Sequence, residues 1–204
     1  MPYSYRASLG LFYTKTLPGG YRKVISPLLR QPDGGAPLTY NGWLGPLMGT
    51  FFTRNELVRA RAQWKREGKV VVFTNGCYDI LHPGHARLLE QARSLGDLLI
   101  LALNSDSSVG RLKGPSRPLI PEQDRVALAA ALEAVDAVTI FDEDTPRELI
   151  AAVLPDILVK GADWAHWIAG REEVEAAGGK VLALPLEPGY STTGIVEEIL
   201  KRQP

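Results

Sequence analysis

The chain has 204 residues, with 23 Lys plus Arg balanced by 23 Asp plus Glu and a single cysteine, Cys77. This length suffices for one α/β domain with a sizeable core and an appendage. Because its net charge is zero, the chain lacks the broad positive electrostatic field that is typical of nucleic-acid-binding proteins. One cysteine excludes an internal disulfide, and no apolar run is long enough to cross a membrane, so we expect a cytoplasmic protein with neither nucleic acid nor membrane as a partner.

The first 50 residues differ in composition from the rest. They are rich in Gly, Pro and Tyr and show neither a strand period nor a helix period over a useful window. We predict an irregular N-terminal arm over 1–50 and a folded domain over 51–204. The domain is predicted to open with a helix, because Thr53 and Glu56 have the spacing of a capping box and Gly68 supplies a stop.

From Lys69 onward, short apolar runs alternate with amphipathic helical patterns. Runs of Val, Ile and Leu without polar alternation are typical of strands covered on both faces, and the helices between them supply the crossovers of a parallel sheet. We therefore predict an α/β fold with a Rossmann-like, doubly wound parallel sheet of five strands. These strands are predicted at Val70 to Phe73, Leu98 to Leu103, Ala137 to Phe141, Ile157 to Val159 and Val181 to Leu184.

The segment between the first predicted strand and the next helix contains two of the three histidines. His82 and His85 stand three residues apart at the helix start, where free N–H groups attract a phosphate, and Gly84 between them leaves room for close approach. Two imidazoles can donate hydrogen bonds to phosphoryl oxygens during nucleotidyl transfer. The alternative is that each is an ordinary capping or half-buried histidine.

A basic segment, Arg111 to Pro118, follows the second predicted strand and its turn at Asn104. We interpret it as a loop that delivers Lys113 to a phosphate, assisted by Arg125 on the next helix. An ordinary solvated basic loop is the alternative.

Two further clusters follow the last two predicted strands. Ser191, Thr192 and Thr193 open the final helix, where they are candidates for phosphate contact or for a simple N-cap. The other cluster, Gly161 to Trp164, places a carboxylate and an aromatic ring where a ribose and a base could bind, although Trp164 could equally be a packing residue.

Taken together, these clusters resemble a known family. The signature of the cytidylyltransferase-like superfamily of nucleotidyltransferases resembles the segment Thr-Asn-Gly-Cys-Tyr-Asp-Ile-Leu-His-Pro-Gly-His that ends at His85. The nucleotidyltransferase half of ADP-heptose synthases, D-glycero-β-D-manno-heptose 1-phosphate adenylyltransferase, is similar over about Glu56 to Leu200. The segments that carry this narrower resemblance are Arg111 to Gly114, Ser116 to Pro118, Leu158 to Gly161, Ile168 to Gly170 and Ser191 to Thr193.

The resemblance implies attack of heptose 1-phosphate on the α-phosphorus of ATP, release of pyrophosphate and formation of ADP-heptose for the lipopolysaccharide inner core. It implies Mg²⁺ with ATP as substrate and no metal ligands from the protein. With the clusters above, it gives these candidate residues: catalytic His82, His85 and Lys113; nucleotide-binding Asn75, Gly76, Cys77, Tyr78, Gly84, Asn104, Arg125, Gly161, Asp163, Ser191, Thr192 and Thr193; and substrate-binding Asp79, Arg111 and Arg117.

Other functions fit the same motifs. A CTP-dependent cytidylyltransferase acting on glycerol 3-phosphate or a phospho-amino-alcohol shares the histidine signature and the hydroxyl turn. A non-catalytic nucleotide-binding module, with the arm contacting a partner, is a third alternative. The resemblance includes no sugar kinase, so a separate kinase is expected to supply the sugar phosphate, and a homodimer is a candidate assembly. The segment Ala165 to Trp167 departs from the family pattern, so the resemblance does not define the nucleotide and sugar pockets.

Overall fold

The computed structural model describes residues 49–164 and 166–202, which build one sheet with helices on both faces. A short 3-10 helix, Ala162–Trp164, follows the fifth strand. The strands are β1 (Thr50–Phe51), β2 (Val71–Gly76), β3 (Leu98–Asn104), β4 (Ala137–Phe141), β5 (Ile157–Gly161) and β6 (Lys180–Leu184). The helices are α1 (Arg54–Arg66), α2 (Pro83–Arg93), α3 (Asp106–Lys113), α4 (Glu122–Ala130), α5 (Arg147–Val153), α6 (Arg171–Ala176) and α7 (Thr192–Lys201).

The sheet is entirely parallel, with strand order β1-β4-β3-β2-β5-β6. From β2 the chain winds outward through β3 and β4 and then returns to the other side of β2 for β5 and β6. This confirms the predicted doubly wound α/β fold, and all five predicted strands are present. The sheet has one strand more than predicted, because β1 has only two residues and is too short to show a period.

The predicted arm, residues 1–50, lies outside the described residues except for its end, where Thr50 begins β1 and pairs with Ala137. Among the described residues, none of the helices combines the length and apolar character needed to cross a membrane.

Two apolar cores lie on opposite faces of the sheet, as alternation along each strand requires. Val71 and Phe73 of β2 face the core formed with α1, α5 and α6, whereas Val72 faces the core formed with α2 and α4. Both faces are therefore covered, and the polar ligand-binding groups can lie only at the strand ends. The capping box of α1 is formed as predicted, and Gly68 takes a positive φ of 70° just after that helix.

Arg125 on α4 ties the carboxyl ends of β2 and β3 together. Its side chain is fully buried, and it donates to the carbonyls of Cys77 (2.7 Å), Asn104 (2.8 Å) and Ile120 (3.0 Å) and to the Asp106 carboxylate (2.8 Å). These contacts are all within the protein, and nucleotide binding by Arg125 stays a prediction. A buried guanidinium needs several acceptors, and here backbone carbonyls supply them.

We predict that Arg125→Met lowers the free energy of unfolding by about 3–5 kcal/mol, because it leaves buried carbonyls without donors. Urea unfolding measures the change, with the exposed Arg59→Met as the matched control, expected within about 0.5 kcal/mol of the parent. Equal unfolding midpoints for the two variants would show that the Arg125 contacts do not stabilise the strand ends.

Candidate active site

The candidate site lies at the carboxyl edge of the sheet, where the winding direction reverses between β2 and β5. Open α/β sheets bind ligands in the crevice at this switch point. The β2–β5 pairing ends at Phe73 and Leu158, before the last residues of either strand, and this is where such a crevice is expected. The loop after β2 leads directly into α2 and its two histidines.

His82 and His85 lie together at the start of α2. His82 is the N-cap residue, and its Nδ1 accepts a hydrogen bond from the His85 amide at 3.3 Å. The two rings stack with centroids 3.7 Å apart and an interplanar angle of 14°. Because Nδ1 of His82 accepts a hydrogen bond, the proton of the neutral ring lies on Nε2, which is then a donor.

The histidine pair belongs to a longer column of rings. The ring centroids of Tyr78 and His85 are 4.6 Å apart. Tyr190, from the turn before α7, stacks on His82 with ring centroids 6.2 Å apart. The guanidinium of Arg87 lies 6.0 Å from the Tyr190 ring and is paired with Glu187 in the same turn. The column therefore joins the first turn of α2 to the turn before α7.

Both histidines favour the neutral form. Burial lowers the pKa of His85 to about 4, and the neighbouring His82 ring lowers it further because two imidazolium ions would repel each other. Burial also lowers the pKa of His82. At neutral pH the pair therefore acts through ring N–H donation and not through positive charge.

Two side-chain atoms at the site are buried without a hydrogen-bond partner: Oδ1 of Asn75 and Nδ1 of His85. A buried polar atom without a partner is costly, and such atoms at the edge of a crevice are typical of groups that bind a ligand. Asn75 is the penultimate residue of β2 and His85 lies in the first turn of α2, so both atoms border the same loop.

Lys113 lies at the end of α3 and is exposed. The predicted loop from Arg111 is therefore helical as far as Lys113, with Ser105 as its N-cap and Gly114 in a positive φ of 97° at its end. The positive charges of Lys113 and Lys160 both lower the pKa of Cys77, the residue after β2, so Lys113 lies within electrostatic range of the end of β2.

Lys160 near the end of β5 was not among the predicted site residues. Its Nζ donates to the Asn75 carbonyl at 3.0 Å and lies 5.7 Å from the centroid of the Trp164 ring. The signal that could have identified it is a lysine inside an apolar strand segment, Leu158 to Gly161, because such a strand seldom contains a charged residue without a reason.

Asp79, predicted to bind substrate, holds a loop. Its carboxylate is 2% exposed and accepts from Arg117 at 2.5 Å and from the amides of Leu119 and Ile120, both at 2.8 Å. The predicted substrate ligands Asp79 and Arg117 thus bind each other and fix the segment between α3 and α4. Both carboxylate oxygens of Asp79 thus accept hydrogen bonds within the protein, and substrate binding by Asp79 and Arg117 stays a prediction.

Arg111 also lies apart from the histidines. Its guanidinium pairs with Asp144 at 2.8 Å and contacts Asp142 in the loop after β4. Lys113 thus lies within electrostatic range of the end of β2, whereas Arg111, two residues earlier on the same helix, is paired with another loop.

Several residues predicted to bind nucleotide pack against, or lie next to, the loop that holds the histidines. Tyr78 is buried against His85, and burial raises the pKa of its hydroxyl. A Cβ on Gly76 would lie 2.9 Å from the Tyr78 ring, and one on Gly84 would lie 3.1 Å from Cβ of Tyr190. These glycines leave room for rings of the protein itself, and close approach of a nucleotide at Gly84 stays a prediction. Asn104 is buried and donates to Ser108 Oγ at 3.0 Å.

The hydroxyl turn serves partly as a cap. Ser191 Oγ accepts from the Gly194 amide at 2.9 Å as the N-cap of α7, and Thr192 Oγ1 donates to the Ile80 carbonyl at 3.4 Å. Thr193 is exposed and forms no hydrogen bond through its side chain among the described residues. Ser191 therefore matches the N-cap alternative, and the turn is attached to the histidine loop through Thr192.

At the other side of the crevice, the 3-10 helix presents Asp163 and Trp164, both exposed. Oδ1 of Asp163 lies over Gly161, where a Cβ would be only 2.6 Å away. Trp164 is 46% exposed and belongs to neither apolar core.

Comparison with known sequences decides the family. A profile of the cytidylyltransferase-like family matches residues 73–198, more than half of the chain. The chain belongs to the cytidylyltransferase-like family. The family match includes both histidines, Lys113, Lys160 and the hydroxyl turn, and it confirms the prediction of a nucleotidyltransferase.

Individual relatives in this cytidylyltransferase-like family are close. A protein from Syntrophotalea carbinolica named Bifunctional protein HldE is 58% identical over 139 residues, which is 68% of this chain and 28% of that protein. Its namesake from Koribacter versatilis is 54% identical over 147 residues, 72% of this chain and 30% of that protein. This chain therefore spans less than a third of the length of these relatives. Pantoate-beta-alanine ligase from Francisella tularensis, 14% identical, shares the fold with a TM-score of 0.52, covering 76% of this chain and 80% of that one.

We predict that NMR titration finds the His85 ring protonating near pH 4. Since the unfolded chain takes up this proton near pH 6.5, the free energy of unfolding should decrease as pH falls from about 6.5 to 4. In His82→Asn, which keeps a capping side chain but removes the second ring, the pKa of His85 should rise yet stay below its ordinary value, because burial is the larger cause. The third histidine signal is assigned with His166→Gln. A His85 pKa unchanged by His82→Asn would contradict the coupling of the two rings.

Proposed function

We propose that this chain is an adenylyltransferase that transfers AMP from ATP to a sugar 1-phosphate, D-glycero-β-D-manno-heptose 1-phosphate, giving ADP-heptose and pyrophosphate. The observation that carries the proposal is the stacked pair of neutral histidines, His82 and His85, at the start of α2 beside the crevice. Relatives named Bifunctional protein HldE match along less than a third of their length, as expected for one half of a chain with two functions.

In the proposed reaction, a phosphate oxygen of the sugar 1-phosphate attacks the α-phosphorus of ATP. A new P–O bond forms there, and the bond to the β-phosphate oxygen breaks, so that pyrophosphate leaves with the bonding electrons. No proton must be removed from an ionised phosphate, so the protein contributes positioning and charge stabilisation. Nε2–H of His82 donates to a phosphoryl oxygen, and Lys113 offsets the negative charge of the phosphates.

Nucleotidyltransferases that use ATP generally need a divalent metal ion. Within residues 49–164 and 166–202, no three His, Cys, Asp or Glu side chains cluster closely enough to hold one. We propose that the ion is Mg²⁺ and that it enters as part of the substrate, bound to the phosphates of ATP.

The proposal has consequences for partners and location. A sugar kinase is proposed to supply the phosphorylated heptose, and the reaction is proposed to take place in the cytoplasm, where ATP is available. The homodimer stays a prediction that solution measurements of molecular mass can check.

We predict that, among four combinations, the purified chain releases pyrophosphate fastest with ATP and heptose 1-phosphate in the presence of Mg²⁺. The other three combinations pair CTP with heptose 1-phosphate, and ATP or CTP with glycerol 3-phosphate. His82→Ala should reduce kcat by about a hundredfold or more, because it removes a donor to the transition state. Preference for CTP with glycerol 3-phosphate would instead establish the cytidylyltransferase alternative, and a His82→Ala variant equal to the parent in every assay would support the non-catalytic module.

We also predict that Tyr190→Ala lowers kcat by about tenfold with a smaller change in the KM for ATP, because His82 loses the ring that holds it in place. Tyr190→Phe keeps the stacking ring and should retain activity within about twofold. The control is Leu200→Ala, an exposed position on the same helix-turn unit. Equal losses in the Phe and Ala variants would show that the hydroxyl, and not the stack, matters.

A further inference from the structure

The crevice between β2 and β5 contains a cation to which neither the family signature nor the candidate residues assign a role. Lys160 is one residue before the end of β5, across from Asn75 in β2. The backbone pairing of β2 with β5 stops at Phe73 and Leu158, so the Asn75 carbonyl has no strand partner from β5. The ammonium group of Lys160 donates to that carbonyl instead, at 3.0 Å.

This contact uses one of the three N–H donors of the lysine. Lys160 forms no salt bridge within the part of the chain that the structure describes. Asp163 attracts the ammonium group of Lys160 electrostatically without forming a salt bridge, and the Trp164 ring lies on one side of that group. A partly buried ammonium with two unused donors is costly unless an anion completes its surroundings.

Lys160 and Lys113 approach the end of β2 from opposite neighbours in the sheet. Lys113 ends the helix that follows β3, Lys160 lies on β5, and β2 lies between β3 and β5. Cys77, directly after β2, is within the electrostatic reach of both. The third cation near Cys77, Arg125, already binds three carbonyls and Asp106, so the two lysines are the cations that remain available there to a ligand.

We propose that Lys160 is a further binding residue for the nucleotide, donating to its triphosphate from the β5 side of the crevice while Lys113 approaches from the β3 side. This inference rests on the proposed function, since it assumes a nucleoside triphosphate in the crevice. We infer a phosphate ligand because phosphate accepts several charge-assisted hydrogen bonds at once. The neutral histidines do not compensate its negative charge, so the two lysines would do so.

The test separates the phosphates from the nucleoside. Calorimetry measures binding of ATP, inorganic tripolyphosphate and adenosine to the full chain and to Lys160→Met, Lys160→Arg and Lys69→Met, an exposed lysine at the opposite end of β2. Lys160→Met should weaken ATP and tripolyphosphate binding by about tenfold or more and leave adenosine within about twofold. Lys160→Arg keeps the charge and should lose less, and Lys69→Met should match the parent.

The pH dependence in the parent gives a second test that does not depend on Lys160→Met folding. Burial lowers the pKa of Lys160 to about 8, while Asp163 and Cys77 oppose that shift. Above this pH, tripolyphosphate must bring a proton onto the lysine in order to bind, so its Kd should rise about tenfold between pH 7 and 9. Ionisation of the ligand over this range acts in the opposite direction. Lys160→Arg, which stays protonated, should remove the rise.

Several results would overturn the inference. Tripolyphosphate affinity unchanged in Lys160→Met, or a pH dependence retained in Lys160→Arg, would show that Lys160 does not contact the phosphates. Loss of adenosine binding instead would assign Lys160 to the nucleoside beside Trp164. A parent chain that binds ATP and tripolyphosphate but shows no effect of Lys160→Met refutes only this inference, whereas a parent that binds neither refutes the proposed function.

Discussion

The hydrogen bond from the His85 amide to Nδ1 of His82 determines much of the candidate site. It caps α2, fixes the ring of His82 over that of His85, and leaves Nε2 of His82 as the donor of a neutral ring. A capping aspartate would satisfy the same amide but would offer no donor, because an ionised carboxylate only accepts hydrogen bonds. The two nitrogens of one ring thus have different roles: Nδ1 caps the start of α2, and Nε2 remains available as a donor.

The position of the histidine loop depends on the segments that neighbour it, and charged residues near the strand ends hold these segments in place. Arg125 holds the carbonyls that follow β2 and β3, and Asp79 holds the segment before α4. Both contacts join distant parts of the chain at the site edge, so each fixes the position of the histidine loop. Rigid placement of this kind matters for phosphoryl chemistry, where catalysis consists mostly of positioning.

The sequence was sufficient to predict the parallel sheet and the histidine pair, because buried strands and a strand-loop-helix turn leave local patterns. It was not sufficient for β1, whose two residues pair only through contacts with β4. The contacts of Arg125 and Asp79 within the protein could not be predicted either, because a charged residue near a motif has the same sequence pattern whether its partner is a ligand or a buried backbone group. Only the three-dimensional partners distinguish these cases, and Lys160 was missed because its role depends on where β2 and β5 separate.

The separation of β2 from β5 explains why neutral and charged donors occur together at this edge. Burial that keeps His82 and His85 neutral would leave a polyanion without compensating charge, while lysines alone would bind phosphate without directing hydrogen bonds to particular oxygens. The histidines come from the loop that β2 feeds, and the lysines come from the elements on either side of it. The doubly wound sheet provides this combination at its switch point, where β2 leads into a helix on one face of the sheet and β5 leads into a helix on the other.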